Sequence, residues 1–127
     1  MDPVWLGKAV VLAVHGRLLA EHGGAPGIRD PALLDSALAR PQHLLAYGDP
    51  DIYDLATAYT SGIVRNHPFV DGNKRTGFMA GYVFLASNDV QLTATEVDVV
   101  QVVTLLVASE IGESEFAAWL RENCETA

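Results

Sequence analysis

One run of nine residues holds most of the side chains in this sequence that could do chemistry: residues 67–75 are His-Pro-Phe-Val-Asp-Gly-Asn-Lys-Arg. A histidine can take a proton from a hydroxyl near neutral pH, so His67 is a candidate general base. Asp71 carries a hard oxygen ligand, and Mg²⁺ that also binds phosphates usually takes only one or two protein carboxylates. The pair predicts a site that moves a phosphate-containing group onto a hydroxyl, with His67 and Asp71 as catalytic residues.

The end of the run predicts an anion-binding site. Gly72 lets the backbone approach a ligand closely. The predicted helix that follows begins at Asn73, where free N–H groups and the helix dipole favour an anion. Lys74 would serve as a point charge, and Arg75 as a planar fork that can hold two phosphate oxygens. These four residues are predicted to bind the phosphates of a nucleotide, and Arg75 is also counted as catalytic.

Each of these residues also has a structural interpretation that the sequence leaves open. Asp71 could cap the following helix, and Asn73 could be only a turn residue. Lys74 and Arg75 could lie on a solvated face. Two cations at a helix N-terminus oppose the dipole, however, and this favours a bound anion over a purely structural role.

Two further arginines are candidates for contact with a substrate or a partner. Arg29 lies in the predicted loop of residues 25–29, and Arg65 stands two residues before His67. Solvent exposure explains Arg65 as well as function does. The other histidines show no ligand spacing, and a chain with the single cysteine Cys124 is not expected to hold zinc.

The pattern that must position these residues is helical over nearly the whole chain. Gly23-Gly24 end the first helix, Asp30-Pro31 begin the second, and Pro41 is predicted to end it. Phe69 is predicted to point into the core. The predicted helices cover residues 4–22, 31–40, 51–66, 73–88 and 95–109 and a short last helix capped by Ser114, and residues 90–93 are predicted to be extended. Together they predict an all-α fold of about six helices in one domain, residues 1–127.

Composition limits the partners. The chain has 127 residues and a net charge of −8, so a nucleic-acid backbone gives it no general electrostatic attraction. Half of the residues are hydrophobic, enough for a buried core. The first helix is interrupted by charged residues and is shorter than a membrane span. No export signal is recognised. We expect a cytoplasmic protein that contacts neither membrane nor nucleic acid directly.

The nine-residue run resembles the signature of the Fic/Doc superfamily. The Fic branch carries His-Pro-Phe-x-Asp/Glu-Gly-Asn-Gly-Arg-x-x-Arg, and this chain agrees at seven of those positions. It differs at Lys74, where Fic enzymes have glycine, and at Phe78, where they have a second arginine. Both differences match the Doc branch, the death-on-curing toxins, whose motif is His-x-Phe-x-Asp/Asn-Ala/Gly-Asn-Lys-Arg. The loop at residues 27–30 and the late Trp119-Leu120-Arg121 also look like Doc-type chains.

The resemblance implies a mechanism. Fic enzymes typically move AMP from ATP to a protein hydroxyl, whereas Doc toxins hold ATP in a reversed pose and transfer its γ-phosphate. The implied substrate is a threonine of elongation factor Tu, with ATP as co-substrate and Mg²⁺ held by Asp71. Lys74 favours the Doc pose because it fills the space that glycine leaves in Fic enzymes. The implied activity is that of a protein Ser/Thr kinase that arrests translation.

The resemblance also implies a Phd-like antitoxin as partner, because a small antitoxin with a flexible tail restrains Doc-type toxins. Two alternatives stay open. The chain could be a Fic-type AMP transferase, or an inactive homologue that only binds an antitoxin. The intact His67, Asp71 and Arg75 count against the second alternative.

Overall fold

Six helices carry most of the chain in the computed structural model, which describes residues 1–127. They are α1 (Lys8–His22), α2 (Pro31–Tyr47), α3 (Ile52–Asn66), α4 (Asn73–Ser87), α5 (Glu96–Val107) and α6 (Glu113–Glu122). One small antiparallel sheet joins β1 (Val90–Leu92) to β2 (Cys124–Thr126). The prediction of an all-α fold with about six helices is confirmed, and no helix is long and apolar enough to cross a membrane.

Helix α3 forms the centre of the core and sets the position of α4. Its residues are buried without a break from Leu55 to Ile63, as expected for a helix covered on all sides. Helix α4 approaches it closely through two glycines. A Cβ atom on Gly77 would lie 2.9 Å from Val64 Cγ2, and one on Gly81 would lie 2.5 Å from Thr60 Oγ1. The end of α3 and the start of α4, which flank the nine-residue run, are therefore held in fixed relation.

The predicted end of α2 at Pro41 was wrong, since the helix continues to Tyr47. A proline inside a helix removes one hydrogen bond and crowds the preceding turn. Here Pro41 is itself buried, and Leu45 beyond it packs against the core. Burial of this apolar face along α3 outweighs the local cost.

Two other predicted boundaries were wrong, the first because of tertiary contacts and the second because of a local hydrogen bond. Helix α1 begins at Lys8 rather than at Val4. The Val4 N–H donates to Asn88 Oδ1 over 2.7 Å and the Leu6 N–H donates to the Tyr59 hydroxyl over 3.0 Å, so this segment is held outside the helix. Ser114 does not cap α6. The N-cap is Gly112, whose N–H donates to Glu115 Oε1 over 3.1 Å.

Other local predictions are confirmed. The predicted start of the fifth helix at residue 95 is confirmed, since Thr95 caps α5 by accepting from the Asp98 N–H over 3.2 Å. Residues 90–92 of the predicted extended segment form β1. The pairing of β1 with the C-terminal strand was not predicted, because the residues of β2 were assigned no structure.

Candidate active site

The loop between α3 and α4 holds the backbone of His67 in an unusual conformation. Its φ of 51° lies in the left-handed region, and its N–H donates to the Ile63 carbonyl over 3.0 Å, which ends α3. Pro68 follows, and a proline disfavours right-handed helix at the residue before it. A left-handed residue other than glycine costs about 1–3 kcal/mol, so surrounding contacts must hold it in place.

The loop before α2 supplies those contacts, chiefly through Arg29. Its Nε donates to the His67 carbonyl over 2.7 Å and its Nη2 to the Asn66 carbonyl over 2.9 Å. The backbone N–H groups of Arg29 and Asp30 both donate to the Pro68 carbonyl. The Arg29 guanidinium is thus engaged with the histidine loop. Contact of Arg29 with a substrate or partner stays a prediction.

Asn73 fastens the loop from the other side. Its side-chain amide accepts from the Phe69 N–H and donates to the Phe69 carbonyl, each over 2.9 Å, and it is buried. Phe69 is fully buried, which confirms that it points into the core. The side-chain amide of Asn73 thus holds the loop, and its contact with a phosphate stays a prediction. Its backbone N–H, at the start of α4, remains a candidate.

Asp71 is exposed and is held by two backbone groups. Its Oδ1 accepts from the Gly72 N–H over 2.8 Å, and its Oδ2 accepts from the Ala25 N–H over 3.2 Å. The N-cap of α4 is Gly72, with a φ of 78° and no side-chain cap. The alternative that Asp71 caps the helix is therefore excluded. Each carboxylate oxygen accepts only one hydrogen bond from the protein, so the group can still bind a cation.

The predicted catalytic and phosphate-binding residues line one cavity of about 780 Å³. His67, Asp71 and residues 72–75 form its polar end, and side chains of α4, α5 and β1 form an apolar wall. Cavities of roughly 300–1,000 Å³ are typical of small-molecule sites. The run of residues 67–75 therefore lies at a cavity large enough for a nucleotide.

Lys74 and Arg75 differ from the other lysines and arginines of this acidic protein. Both are exposed, both line the cavity, and neither has a hydrogen-bond or ion-pair partner. The remaining six are all engaged with protein groups, namely Lys8, Arg17, Arg29, Arg40, Arg65 and Arg121. Two free cations at a helix N-terminus are unfavourable in isolation. An anionic ligand would relieve that cost.

Arg65 lies outside the cavity lining. Its Nε donates to Ser61 Oγ and its Nη1 donates to Ser109 Oγ, each over 3.2 Å. These bonds connect the end of α3 to the segment after α5. A substrate or partner contact for Arg65 stays a prediction.

His15 is a site residue that the sequence did not reveal. It lies on α1, is 6% exposed, and stacks on the Phe69 ring with centroids 3.8 Å apart and planes 11° apart. Its Nε2 lies 2.8 Å from the Asp71 carbonyl oxygen, 56 residues away in the chain. Only the folded chain brings these groups together, so spacing gave no signal for it.

The chain belongs to the Fic/DOC family, because the family model described as the Fic/DOC family matches residues 5–85. That stretch contains α1 to α3, the histidine loop and most of α4. The resemblance found from the nine-residue run is therefore confirmed.

Two curated relatives give further similarity. The chain is 47% identical over 74 residues to Toxin Doc of Mycolicibacterium smegmatis, covering 57% of each chain. It is 32% identical over 83 residues to Protein kinase doc of Escherichia phage P1, covering 65% of this chain and 66% of the relative. The matches thus span just under two thirds, at most, of either relative's length.

Proposed function

We propose that this protein is a Doc-type toxin kinase that transfers the γ-phosphate of ATP to a protein hydroxyl. The observation that carries the proposal is the pair of unpartnered cations, Lys74 and Arg75, at the start of α4 in the same cavity as His67. Phosphoryl transfer depends mainly on positioning and on neutralising negative charge. A rigid loop and two free cations supply both.

His67 is the proposed base. Its imidazole is exposed and has no hydrogen-bond partner in the protein, while its backbone is held at both N–H and carbonyl. It takes the proton of the acceptor hydroxyl as the hydroxyl oxygen bonds to the γ-phosphorus. The bond from that phosphorus to the β–γ bridging oxygen breaks, and ADP leaves. Lys74 and Arg75 bind the oxygens on which negative charge is concentrated.

Asp71 is the residue that would hold a magnesium ion, and its environment fits that role. The carboxylate is exposed at the polar end of the cavity and is fixed by two backbone N–H groups. One carboxylate suffices when phosphates and water complete the coordination. The ion would supply charge neutralisation on the phosphates. The residues present thus fit both Mg²⁺ and ATP.

The direction of transfer rests on Lys74 and Phe78, the two positions at which the run departs from the Fic signature. Both side chains line the cavity, one turn apart on α4. Lys74 puts a charged side chain where a glycine would leave room for phosphates in the Fic pose. The relative from phage P1 is named as a protein kinase, which supports γ-phosphate transfer. From the resemblance to Doc we propose a threonine of elongation factor Tu as the acceptor. The protein would then be specific for serine or threonine hydroxyls.

A Phd-like antitoxin is the proposed partner, in the cytoplasm where elongation factor Tu works. The mycobacterial relative is named Toxin Doc, which supports the proposal that an antitoxin inhibits this protein. The apolar wall of the cavity includes Val100 and Val107, which are 55% and 44% exposed. We propose this wall as the surface that an antitoxin segment covers.

Paired labelling tests the activity. Purified protein is incubated with elongation factor Tu, Mg²⁺ and ATP labelled on either the γ- or the α-phosphate, with His67→Ala as control. The proposal predicts label on the acceptor only from γ-labelled ATP and only with His67 present. Label from the α-phosphate would identify an AMP transferase. Label from neither, together with no growth arrest on expression, would identify an inactive homologue.

A further inference from the structure

Helix α1 contributes a buried histidine to the back of the histidine loop, and nothing in the proposed transfer step uses it directly. We propose that His15 is a positioning residue that fixes Asp71 for Mg²⁺ binding. This inference rests on the proposed function, since it assigns His15 a role at the same phosphate site. His15 itself does not line the cavity, so its effect must pass through Asp71.

The hydrogen bond shows which nitrogen of the His15 ring carries a proton. A carbonyl oxygen can only accept, so the 2.8 Å contact with the Asp71 carbonyl requires a proton on His15 Nε2. The ring of His15 stacks parallel to the buried ring of Phe69, a residue whose backbone is held by Asn73. The donor of His15 is therefore aimed at one atom of the Asp71 backbone.

The loop after α1 contacts the side chain of Asp71. The Ala25 N–H donates to Asp71 Oδ2, and a Cβ atom on Gly24 would lie 2.8 Å from that oxygen. Helix α1 and the loop after it thus contact Asp71 both at its carbonyl and at its carboxylate. Gly72 lies against His15 as well, since its Cβ would meet His15 Nε2 at 3.7 Å.

These contacts give the ring of His15 two separable tasks. The stack on Phe69 contributes packing, and the Nε2 donor contributes orientation of Asp71. A ring without the donor would keep the packing alone, whereas an amide would keep a donor near the Nε2 position without the ring. His15→Phe and His15→Gln therefore form a matched pair that separates a positioning role from a structural one.

The test measures binding of a non-hydrolysable ATP analogue by calorimetry, with and without Mg²⁺, alongside melting temperature. Groups that orient a metal ligand typically change metal affinity by about 10–100-fold. We expect His15→Phe to melt near the wild type and to bind the analogue normally without Mg²⁺, but to lose about tenfold of the affinity gained with Mg²⁺. We expect His15→Gln to melt at a lower temperature and to keep most of that gain.

Two results would overturn the inference alone: a wild-type Mg²⁺ gain in His15→Phe, or an equal loss of the gain in both variants. If His15→Phe does not fold, His15→Met serves as the variant without the donor, and a wild-type Mg²⁺ gain in it would overturn the inference. A wild-type protein that does not bind the analogue, or gains nothing from Mg²⁺, would overturn the proposed function and this inference with it.

Discussion

Arg29 Nε donates to the carbonyl oxygen of His67 over 2.7 Å, although 38 residues separate the two in the chain. This bond, with that from Arg29 Nη2 to Asn66, holds the left-handed turn that presents the imidazole to the cavity. The catalytic histidine of the proposed mechanism is therefore positioned by a loop that lies far from it in sequence.

Replacing Arg29 by lysine should clearly lower the rate of phosphate transfer and should change the melting temperature only slightly. A lysine keeps the charge but has no planar fork to reach both carbonyls. Loss of one charge-assisted bond costs about 1.5–3 kcal/mol, or roughly 10–100-fold in rate where it holds the base. Steady-state kinetics and melting curves check this. The matched control is Arg40→Lys, at the exposed ion pair with Glu113, and equal loss in both variants would contradict the role.

Gly24→Ala should impair Mg²⁺-dependent activity, whereas Gly23→Ala should not. Both residues have positive φ, 124° and 78°, so either alanine strains the backbone by about 1–3 kcal/mol. Only at Gly24 would the new Cβ meet the Asp71 carboxylate, and nothing lies within 4 Å of a Cβ on Gly23. The measurement is the Mg²⁺ concentration for half-maximal rate. Equal shifts in the two variants would show that strain alone matters.

Lys74→Ala should weaken nucleotide binding about 10–100-fold, the usual scale of a charge-assisted bond. The loss should shrink as salt is added, since screening already weakens the exposed cation in the wild type. Calorimetry at two salt concentrations checks this. Arg17→Ala is the charge-matched control, because Arg17 is paired with Glu21 on the outer part of α1. A similar loss in the control would point to net charge instead of the site.

Acid stability should depend on Asp51, the N-cap of α3. Burial raises the pKa of this carboxyl, but the Arg121 guanidinium and the Asp54 N–H outweigh burial and hold the pKa below its usual value. A pKa lowered by folding stabilises the protein above the unfolded-state value, about 4, and that stabilisation is lost as the pH falls through the folded-state value.

The melting temperature of the wild type should therefore fall more steeply below about pH 4 than that of Asp51→Asn, because asparagine still caps a helix but does not titrate. Arg121→Gln should reduce the same slope, since it removes the main partner of Asp51. Melting curves across this range test it, and three parallel profiles would contradict the assignment.

Local patterns predicted the helices and the histidine run well, because caps and apolar stripes act within a few residues. The predicted helix starts at residues 31, 73 and 95 needed no tertiary information. The run from His67 to Arg75 likewise predicted the polar end of the cavity, since all of its ligand candidates are neighbours in the chain.

Most of the differences come from contacts between distant segments. Pro41 stays helical because its face is buried against the core, and Val4 lies outside α1 because Asn88 binds its backbone. His15 gave no signal, since its partners Phe69 and Asp71 meet it only after folding.

The mass added to the acceptor shows directly whether the protein transfers a phosphate or AMP. Elongation factor Tu is incubated with the protein, Mg²⁺ and unlabelled ATP, and its intact mass and modified residue are determined by mass spectrometry, with His67→Ala in parallel. We expect the increment of one phosphate on a threonine with the wild type and no increment with His67→Ala. The increment of AMP, or a phosphate that persists in His67→Ala, would contradict it.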